Sequence, residues 1–172
     1  MTPEEAIYNF KYSKETGSLF WRVSRRGIRR YYNKEAGSID KDGYRVIYFN
    51  QKQYRATTII WLILYGREPF VGHEIDHINR DKSDDRLLNL RECTHSQNMS
   101  NQAIPSSNTS GYKGVSYHKH TNRFRATIMH NKKSIHIGLY NTAEEAAEAY
   151  RKKAIELFGE FADIAIREYK DY

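Results

Sequence analysis

The chain has 172 residues, and its 28 lysines and arginines outnumber its 21 aspartates and glutamates, which gives a formal charge of +7. This charge favours a polyanionic partner, and the 14 tyrosines and 2 tryptophans suit contact with the sugars, bases and phosphates of a nucleic acid. The single cysteine, Cys93, excludes a disulfide framework and a cysteine-based zinc site within the chain, and it fits a reducing compartment.

The first 56 residues predict a short opening helix followed by a twisted antiparallel sheet. The turn residues Gly17-Ser18 and Asp42-Gly43 each precede a run rich in apolar and aromatic residues, Leu19 to Val23 and Tyr44 to Phe49. A further turn, at residues 50 to 53, follows the second run. This alternation of turns and strands is typical of an antiparallel arrangement.

Four arginines lie on a glycine-containing loop between the first two predicted strands. They are Arg25, Arg26, Arg29 and Arg30. A run of charged residues is often no more than solvent-exposed surface. Here, however, a motif suited to phosphate chemistry occurs in the same chain, at residues 74 to 98. We therefore expect the four arginines to contact nucleic-acid phosphates.

A buried helix is predicted from Ile59 to Tyr65. Thr58 is in position to cap its start, and Gly66, with Pro69 beyond it, ends it. This run is the longest apolar stretch, and it is far shorter than the roughly 18 residues that a membrane span requires. The N-terminus also lacks a basic region followed by an apolar one. We therefore expect a cytoplasmic protein that is neither secreted nor inserted in a membrane.

The stretch from Glu74 to Asn98 concentrates residues suited to chemistry on a phosphate. Asp76 supplies a hard oxygen ligand, His77 a titratable base, and Asn89 and Asn98 two amides. Any one of these residues alone is better explained as a loop residue whose side chain hydrogen-bonds to backbone groups. The occurrence of all four at these spacings favours a catalytic site.

Local sequence patterns suggest how these residues meet. Val71 to Asp76 predicts a strand that presents His77 at its end, residues 78 to 86 predict a polar loop, and Leu87 to Leu90 predicts a second strand.

A helix is predicted to begin at Thr94, which forms a Thr-x-x-Gln capping box with Gln97 and so places Asn98 in the first turn. Strand, loop, strand and helix would bring Asp76, His77 and Asn98 to one place.

The spacing of these residues resembles the HNH, or ββα-metal, endonuclease motif, in the variant whose last histidine is an asparagine. The segments Asp-His-Ile-Asn, Asn-Leu-Arg and Ser-Gln-Asn are most similar to those of small phage-type HNH homing endonucleases, over residues 56 to 100. Ser13 to Trp21 also resembles a segment near the start of many such proteins.

The resemblance implies a role for each residue of the motif. Asp76 and Asn98 would bind one Mg²⁺, for which Mn²⁺ would substitute. His77 would be the general base that deprotonates the attacking water, and Asn89 would orient the His77 loop or ring. The implied products carry 5′-phosphate and 3′-hydroxyl ends.

Two other metal-binding patterns overlap this stretch. His73 to His77 matches the His-Glu-x-x-His pattern of zinc proteases, but that pattern needs a helix, and Pro69 and Gly72 lie just upstream. Asp81 to Glu92 partly matches a calcium-binding EF-hand loop, whose sixth position must be glycine but is Arg86 here. Both patterns fit their context less well than the HNH motif.

The composition changes after the motif. Residues 100 to 110 are small, polar and interrupted by a proline, which predicts a linker. Three strands are then predicted, at Gly114 to His118, Arg123 to Ile128 and Ser134 to Gly138. A helix capped by Thr142 follows and ends at Gly159. Its apolar face is predicted to contain Ala143, Ala146, Ala147, Tyr150, Ala154, Leu157 and Phe158.

This second region resembles the APETALA/ethylene-response type of DNA-binding domain. The resemblance covers about residues 108 to 165 and rests on Gly111 to Val115, Ile137 to Tyr140 and Thr142 to Tyr150. It implies that the sheet face opposite the helix lies in the DNA major groove, with the groove-facing residues Lys113, Ser116, His118, Arg125, Thr127 and His136. Strand alternation predicts that the core side contains Val115, Phe124, Ala126, Ile128, Ile135 and Ile137.

These patterns predict an α+β protein in which an N-terminal antiparallel sheet and a ββα-metal (HNH) unit are linked to a three-stranded antiparallel sheet packed on one helix. The predicted segments are a nuclease domain at 1–99 (N-terminal sheet region 1–56, HNH core 57–99), a linker at 100–110, an APETALA-like domain at 111–166 and a tail at 167–172.

The predicted function is that of a metal-dependent, site-directed DNA endonuclease of the homing type, which hydrolyses phosphodiester bonds in double-stranded DNA. We expect it to act as a monomer, without a membrane and without a small-molecule cofactor. The alternative is a DNA-binding regulatory protein with an inactive nuclease domain, because Thr57-Thr58 stands where related proteins commonly carry His-Arg.

Overall fold

The computed structural model describes residues 1–23 and 32–162 of the chain. The chain divides into two compact units, Met1–Cys93 and Thr94–Tyr172. Among the described residues, no helix combines the length and the apolar composition needed to cross a membrane. The four arginines of the predicted phosphate-binding loop and the predicted tail lie outside the described residues. The domain boundaries predicted at residues 99, 110 and 166 remain predictions.

The first unit opens with a helix, as predicted, but the single twisted sheet predicted after it is divided into two small antiparallel sheets. Its first elements are α1 (Pro3–Asn9), β1 (Phe10–Tyr12), β2 (Leu19–Trp21), β3 (Ser38–Ile39), β4 (Arg45–Phe49) and β5 (Lys52–Arg55). Strand β1 pairs with β2, and β4 lies between β3 and β5 in the second sheet. The sequence predicts neither β1 nor β3, because strands this short show no readable alternation.

The core of the first unit is built around aromatic and branched side chains. The ring centroid of Phe10 lies 4.7 Å from that of Trp21 and 5.8 Å from that of Phe49. Ile59 and Ile60 are fully buried in the same core. Burial of each large apolar side chain contributes roughly 1.5–3 kcal/mol, so this core provides a stable frame for the polar residues at its edge.

Helix α2 spans Ala56–Tyr65 and begins earlier than predicted. Its N-cap is Arg55, which makes no side-chain capping bond, so the predicted cap at Thr58 is wrong. The reason is that β5 leads into the helix without an intervening loop, while burial of Ala56 holds the first turn against the core. Gly66 ends the helix in the left-handed conformation, with φ 63°, as predicted.

The rest of the first unit is a short sheet that carries the predicted motif. Strand β6 spans His73–His77 and pairs with β7, Leu90–Thr94. The strand predicted at Leu87 to Leu90 is wrong for most of its length, because Leu87–Asn89 forms a 3-10 turn. The Asn89 amide bonds to the backbone of the preceding loop, and these bonds favour a turn over an extended strand.

The second unit contains a three-stranded antiparallel sheet and a long helix, as predicted. Its elements are α3 (His95–Asn101), β8 (Val115–His118), β9 (Arg123–His130), β10 (Lys133–Tyr140) and α4 (Ala143–Phe158). Strand β9 lies between β8 and β10. The predicted capping boxes at Thr94 and Thr142 are both present, and they begin α3 and α4.

Helix α4 covers one face of this sheet. Its buried residues include Ala146, Tyr150 and Ala154, and the residues predicted on the core side of the sheet are all buried or partly buried against the same clusters. Gly114 shows how close the packing is, because a Cβ added there would lie 2.1 Å from the Tyr150 ring and 2.5 Å from the Thr127 carbonyl oxygen. The opposite face of the sheet carries mainly polar side chains, with the exposed Met129 and Leu139 among them.

Candidate nuclease site

Asp76 and His77 form the buried end of strand β6, where they are 7% and 5% exposed. Arg91, on the neighbouring strand β7, donates to Asp76 Oδ2 from Nε at 3.0 Å and lies within 2.9 Å of the same oxygen through Nη2. These contacts offset the hydration that a buried carboxylate loses. Arg91 therefore holds the Asp76 carboxylate in place.

A carboxylate of the polar loop (residues 78 to 86) holds the His77 ring. His77 Nε2 lies 2.9 Å from Asp85 Oδ1, and Asp85 is 2% exposed. Among residues 1–23 and 32–162, the other carboxylate oxygen of Asp85, Oδ2, has no hydrogen-bond partner. A neutral imidazole that donates from Nε2 to a carboxylate carries its basic lone pair on Nδ1. The pairing therefore favours the tautomer in which Nδ1 can accept a proton.

Asn89 fastens both ends of the polar loop. Its Oδ1 accepts a hydrogen bond from the backbone N–H of Asn79 at 2.9 Å, and its Nδ2 donates to the Asp84 carbonyl at 2.7 Å. Its own carbonyl accepts from the N–H of Ile78 at 2.8 Å. Because Ile78 follows His77 directly, these three bonds fix the backbone on which the histidine is mounted.

An ion pair closes the end of the polar loop. Arg86 donates to the Asp84 carboxylate from Nε at 2.7 Å and from Nη2 at 2.6 Å, and Asn79 Nδ2 donates to the same carboxylate at 2.8 Å. The hydrogen bonds from the Arg86 side chain lower the pKa of Asp84 to about 2. Asp84 is therefore ionised at neutral pH, and its charge is matched by Arg86.

The hairpin formed by β1 and β2 supports the polar loop from behind. Gly17 has φ +77°, and a Cβ added there would lie 2.6 Å from the Arg86 nitrogen and 2.7 Å from the Asp85 carbonyl carbon. Tyr12 Oη donates to the Asp85 carbonyl oxygen at 2.9 Å. Burial raises the pKa of the Tyr12 hydroxyl, which keeps it a donor. The glycine of the Ser13 to Trp21 segment is therefore needed for close backbone contact with the loop.

In the second unit, the sheet face away from α4 carries most of the residues predicted to face a DNA groove. Ser116 pairs with Arg125 across β8 and β9, and Thr127 pairs with His136 across β9 and β10. Paired residues lie on the same face of an antiparallel sheet. His118 lies two residues beyond Ser116 and shares that face. We call this surface the exposed sheet face.

Lys113, unlike the other predicted groove residues, donates hydrogen bonds to backbone carbonyls of a helix end. Its Nζ donates to the carbonyls of Ser100 and Gln102 at 2.5 Å each, and to that of Met99 at 3.5 Å. The last carbonyls of a helix lack intrahelical partners, and a positive charge is favourable there. Lys113 thus caps the end of α3, and its contact with DNA remains a prediction.

Asn98 is the fourth residue of α3, which belongs to the second unit. The capping box at Thr94 has the predicted partners, with Thr94 Oγ1 accepting from the Gln97 N–H at 3.3 Å. The structure brings together Asp76, His77 and Asn89 within the first unit. A shared site with Asn98 remains a prediction.

Comparison with known proteins assigns the two regions. A family model described as HNH endonuclease matches residues 54–100, and one described as AP2 domain matches residues 110–160. Protein 3.8 of Escherichia phage T7 is 36% identical over 103 residues, which cover 60% of this chain and 84% of that protein. This chain belongs to the HNH endonuclease family. It carries an AP2 domain after the HNH domain, so the family resemblances predicted from the sequence are confirmed.

Two further relatives match this chain over different lengths. The uncharacterized HNH endonuclease L560 of Acanthamoeba polyphaga mimivirus is 36% identical over 124 residues, or 72% of this chain, and the chain spans 63% of that protein's length. APETALA2-like protein 2 of Oryza sativa subsp. japonica is 36% identical over 69 residues, or 39% of this chain and 16% of that protein.

One solved structure, of DNA binding and cleavage by the HNH homing endonuclease I-HmuI, is similar over 91% of this chain and 88% of that chain. The identity is 17% and the TM-score 0.43.

The two rival metal patterns fail in the folded HNH domain. The His-Glu-x-x-His segment is strand β6, so it cannot place two histidines on one helical face as a zinc protease does. The required glycine of the calcium pattern is Arg86, which is paired with Asp84.

The donor set of the HNH domain suits a hard divalent ion. In the part of the chain that the structure describes, no three His, Cys, Asp or Glu side chains form a group that could hold a metal. The predicted donors, the Asp76 carboxylate and the Asn98 amide, are of the oxygen type that Mg²⁺ prefers, usually with several waters retained. A carboxylate can accept about four contacts, so the pairing of Asp76 Oδ2 with Arg91 is compatible with a metal ion.

Sequence reasoning missed Asp85 and Arg91. Asp85 was visible as one of several acidic residues in the partial calcium pattern, and Arg91 as part of the Asn-Leu-Arg segment. Neither spacing shows that the loop folds back onto His77, nor that β7 places an arginine against Asp76. A search for charge partners of the two motif residues within the motif itself would have nominated both.

Proposed function

We propose that this protein is a metal-dependent, site-directed DNA endonuclease of the homing type, which hydrolyses phosphodiester bonds with His77 as the general base. The observation that carries the proposal is the buried contact between His77 and Asp85, on a backbone fastened by Asn89, in a chain of the HNH endonuclease family. The pair holds the imidazole in one orientation and one tautomer, as a general base requires.

In the proposed reaction, His77 accepts a proton from the attacking water at Nδ1. Nε2 donates to Asp85, which keeps the ring in the required tautomer and stabilises the imidazolium that forms. The water oxygen then attacks the phosphorus atom, and the 3′ oxygen of the preceding nucleotide leaves.

Asn89 and Arg91 position the reacting groups without touching the substrate. Asn89 holds the backbone that follows His77, and Arg91 holds the Asp76 carboxylate. Positioning of this kind matters because misplacement by about 1 Å can slow a reaction 100-fold.

Asp76 and Asn98 are the residues that would hold the divalent ion, which we propose to be Mg²⁺, with Mn²⁺ as a substitute. When bound, such an ion stabilises the negative charge of the pentacovalent phosphate and of the leaving oxygen. The HNH family generally uses divalent metal ions, which supports this part of the proposal.

The AP2 domain would direct the HNH domain to particular double-stranded DNA. We propose that the exposed sheet face enters the major groove, and that Arg25, Arg26, Arg29 and Arg30 contact phosphates near the HNH site. Two DNA contacts on one chain reinforce each other through effective concentration. In this proposal the protein acts in the cytoplasm, as a monomer.

Cleavage by the full-length protein tests this function. With plasmid DNA and Mg²⁺ or Mn²⁺, we expect His77→Ala to lower the cleavage rate by at least about 100-fold and to leave DNA binding without metal unchanged. His73→Ala is the matched control, because His73 lies at the other end of β6. Undiminished cutting by His77→Ala would remove His77 from the mechanism.

A second candidate is a DNA-binding regulator with an inactive nuclease domain. The pairing of Asp76 Oδ2 with Arg91 motivates it, because the arginine reduces the negative charge that this carboxylate offers to an ion, even though the other oxygen can still bind one. It requires tight DNA binding by the wild-type protein and no cleavage with either metal. Metal-dependent cutting that is lost in Asp76→Ala would exclude this candidate.

A further inference from the structure

An aromatic ring lies beside His77 and is in contact with two cations, and these three residues have no part in the proposed mechanism. The Tyr44 ring centroid is 6.1 Å from that of His77, with an interplanar angle of 48°. The guanidinium carbon of Arg55 is 3.9 Å from the Tyr44 centroid, and the ammonium of Lys82 is 4.7 Å from it. We call Tyr44, Arg55 and Lys82 the cationic cluster.

Three separate segments of the first unit build the cationic cluster. Tyr44 precedes β4 and Arg55 ends β5, and the pairing of Val46 with Arg55 makes Tyr44 and Arg55 diagonal neighbours across the sheet. Lys82 comes from the polar loop, and its Nζ donates to the Asp42 carbonyl at 3.1 Å. The cluster is thus fixed by the same sheet and loop that fix His77.

The charges of Arg55 and Lys82 are not matched by carboxylates. Both side chains are exposed, and neither forms an ion pair within residues 1–23 and 32–162. By contrast, three carboxylates of the same region are paired: Asp76 with Arg91, Asp84 with Arg86 and Asp85 with His77.

Other acidic residues lie near the cluster but bond elsewhere. Asp40 accepts from the N–H groups of Asp42 and Tyr44, and Asp81 accepts from the N–H and hydroxyl of Ser83. Arg55 and Lys82 therefore concentrate unpaired positive charge on one ring next to the proposed base. Two cations held on one ring without a carboxylate partner favour a bound anion.

We propose that Arg55, Tyr44 and Lys82 form a binding site for a backbone phosphate of the DNA strand, next to the phosphate that His77 attacks. The guanidinium can bind two phosphate oxygens at once, and the ammonium adds a point charge. The Tyr44 ring holds both cations through cation–π contact. Successive phosphates of one strand rise by about 3.4 Å along the axis, so a cluster this close to His77 reaches a neighbouring nucleotide.

This site rests on the proposed DNA endonuclease function, and a binding measurement tests it separately from cleavage. In this experiment, the affinity of the full-length protein for a mixed-sequence DNA duplex is measured in EDTA over a range of salt concentrations. Each phosphate contact contributes about 0.9 to the slope of log K against log salt. That slope is negative, and we expect the double variant Arg55→Met/Lys82→Met to reduce its magnitude by about 1 to 2.

The matched control is Lys11→Met/Lys52→Met, which removes the same charge from two exposed lysines of the first unit outside the cationic cluster. We expect its slope to stay within about 0.5 of the wild type. In cleavage assays with Mg²⁺, the Arg55/Lys82 variant is expected to raise KM about tenfold or more with kcat nearly unchanged. Arg55→Lys, which keeps the charge, should recover part of the lost affinity.

The two proposals fail in different ways. A slope and KM equal to those of the control variant, in a protein that cleaves DNA, would overturn the phosphate site and leave the endonuclease function standing. A reduced slope in a protein that never cleaves would support the phosphate site and overturn the endonuclease function. A thermal unfolding midpoint equal to that of the wild type shows that a reduced slope does not arise from unfolding.

Discussion

The HNH site and the exposed sheet face of the AP2 domain both present polar side chains, but they hold them differently. In the HNH site, His77, Asp85 and Asn89 are buried. The His77 ring bonds to the Asp85 carboxylate, and the Asn89 side chain bonds to the backbone of the polar loop. On the sheet face, Arg125 and His136 are exposed, and neither forms a side-chain hydrogen bond or ion pair among the described residues. Only the backbone ladder sets their positions.

This difference matches the two tasks proposed for the regions. A general base must be held within a fraction of an ångström of its working position, and buried hydrogen bonds provide that rigidity. A groove-reading side chain must adapt to a base edge or a phosphate, and an exposed long side chain can do so. Changes in the HNH site should therefore alter rates, whereas changes on the sheet face should alter affinity.

The largest effect is expected from removing the carboxylate that holds His77. In Asp85→Ala the imidazole loses its tautomer and its orientation, so we expect kcat to fall by about 100- to 10,000-fold with KM changed little. Asp85→Asn keeps a hydrogen-bonding group but loses the charge, and it should recover only a small part of the rate. Steady-state cleavage of a DNA duplex measures both constants.

Asp81→Ala is the control for this prediction. Asp81 lies in the same loop but is exposed, and its carboxylate accepts hydrogen bonds from the N–H and the hydroxyl of Ser83. Replacement of an exposed side chain of this kind changes stability little, so cleavage should stay near the wild-type rate. If Asp81→Ala and Asp85→Ala lost equal activity, loop stability and not the buried pair would explain both.

A smaller effect, on affinity alone, is expected on the sheet face. Arg125→Ala removes a long cationic side chain opposite Ser116, and one lost base or phosphate contact weakens binding by roughly tenfold. The cleavage rate at saturating DNA should be unchanged. Titration of a labelled DNA duplex measures the affinity.

Arg151→Ala serves as the control, because Arg151 lies on helix α4 and is paired with Glu148. Equal weakening by both variants would show that total charge, and not the sheet face, determines binding.

The sequence is sufficient to predict the elements that local rules determine. The capping boxes at Thr94 and Thr142 and the three strands of the AP2 sheet follow from short patterns, and the structure has them. The motif residues Asp76, His77 and Asn89 are also readable, because their types and spacing are unusual together. Local rules fail at Thr58, where the direct passage from β5 into α2 decides where the helix begins.

The partners of the motif residues could not be predicted, because they depend on how distant segments meet. Gly17 lies against the backbone of Asp85 and Arg86, and Tyr12 bonds to the Asp85 carbonyl, although both residues are far away in the sequence. The sequence shows a glycine in a recurrent segment but not the backbone that it must approach. The buried pair of Asp85 with His77 has the same origin, since only the folded loop brings the two together.

The smallest expected effect concerns acid stability and compares an ion pair from each region. Arg86 lowers the pKa of Asp84 to about 2 from an ordinary 3.8, so the ionised carboxylate stabilises the folded state above about pH 4 and loses this effect as the pH falls towards 2. In Arg86→Met the thermal midpoint should be lower than that of the wild type by a few degrees at neutral pH, and the difference should vanish near pH 2.

Arg151 also lowers the pKa of Glu148, but that carboxylate is 46% exposed where Asp84 is 11% exposed, so solvent screens the pair more. Arg151→Met should therefore show a smaller difference at neutral pH, and a larger one would contradict the view that the HNH loop holds its charges more rigidly than the AP2 domain does.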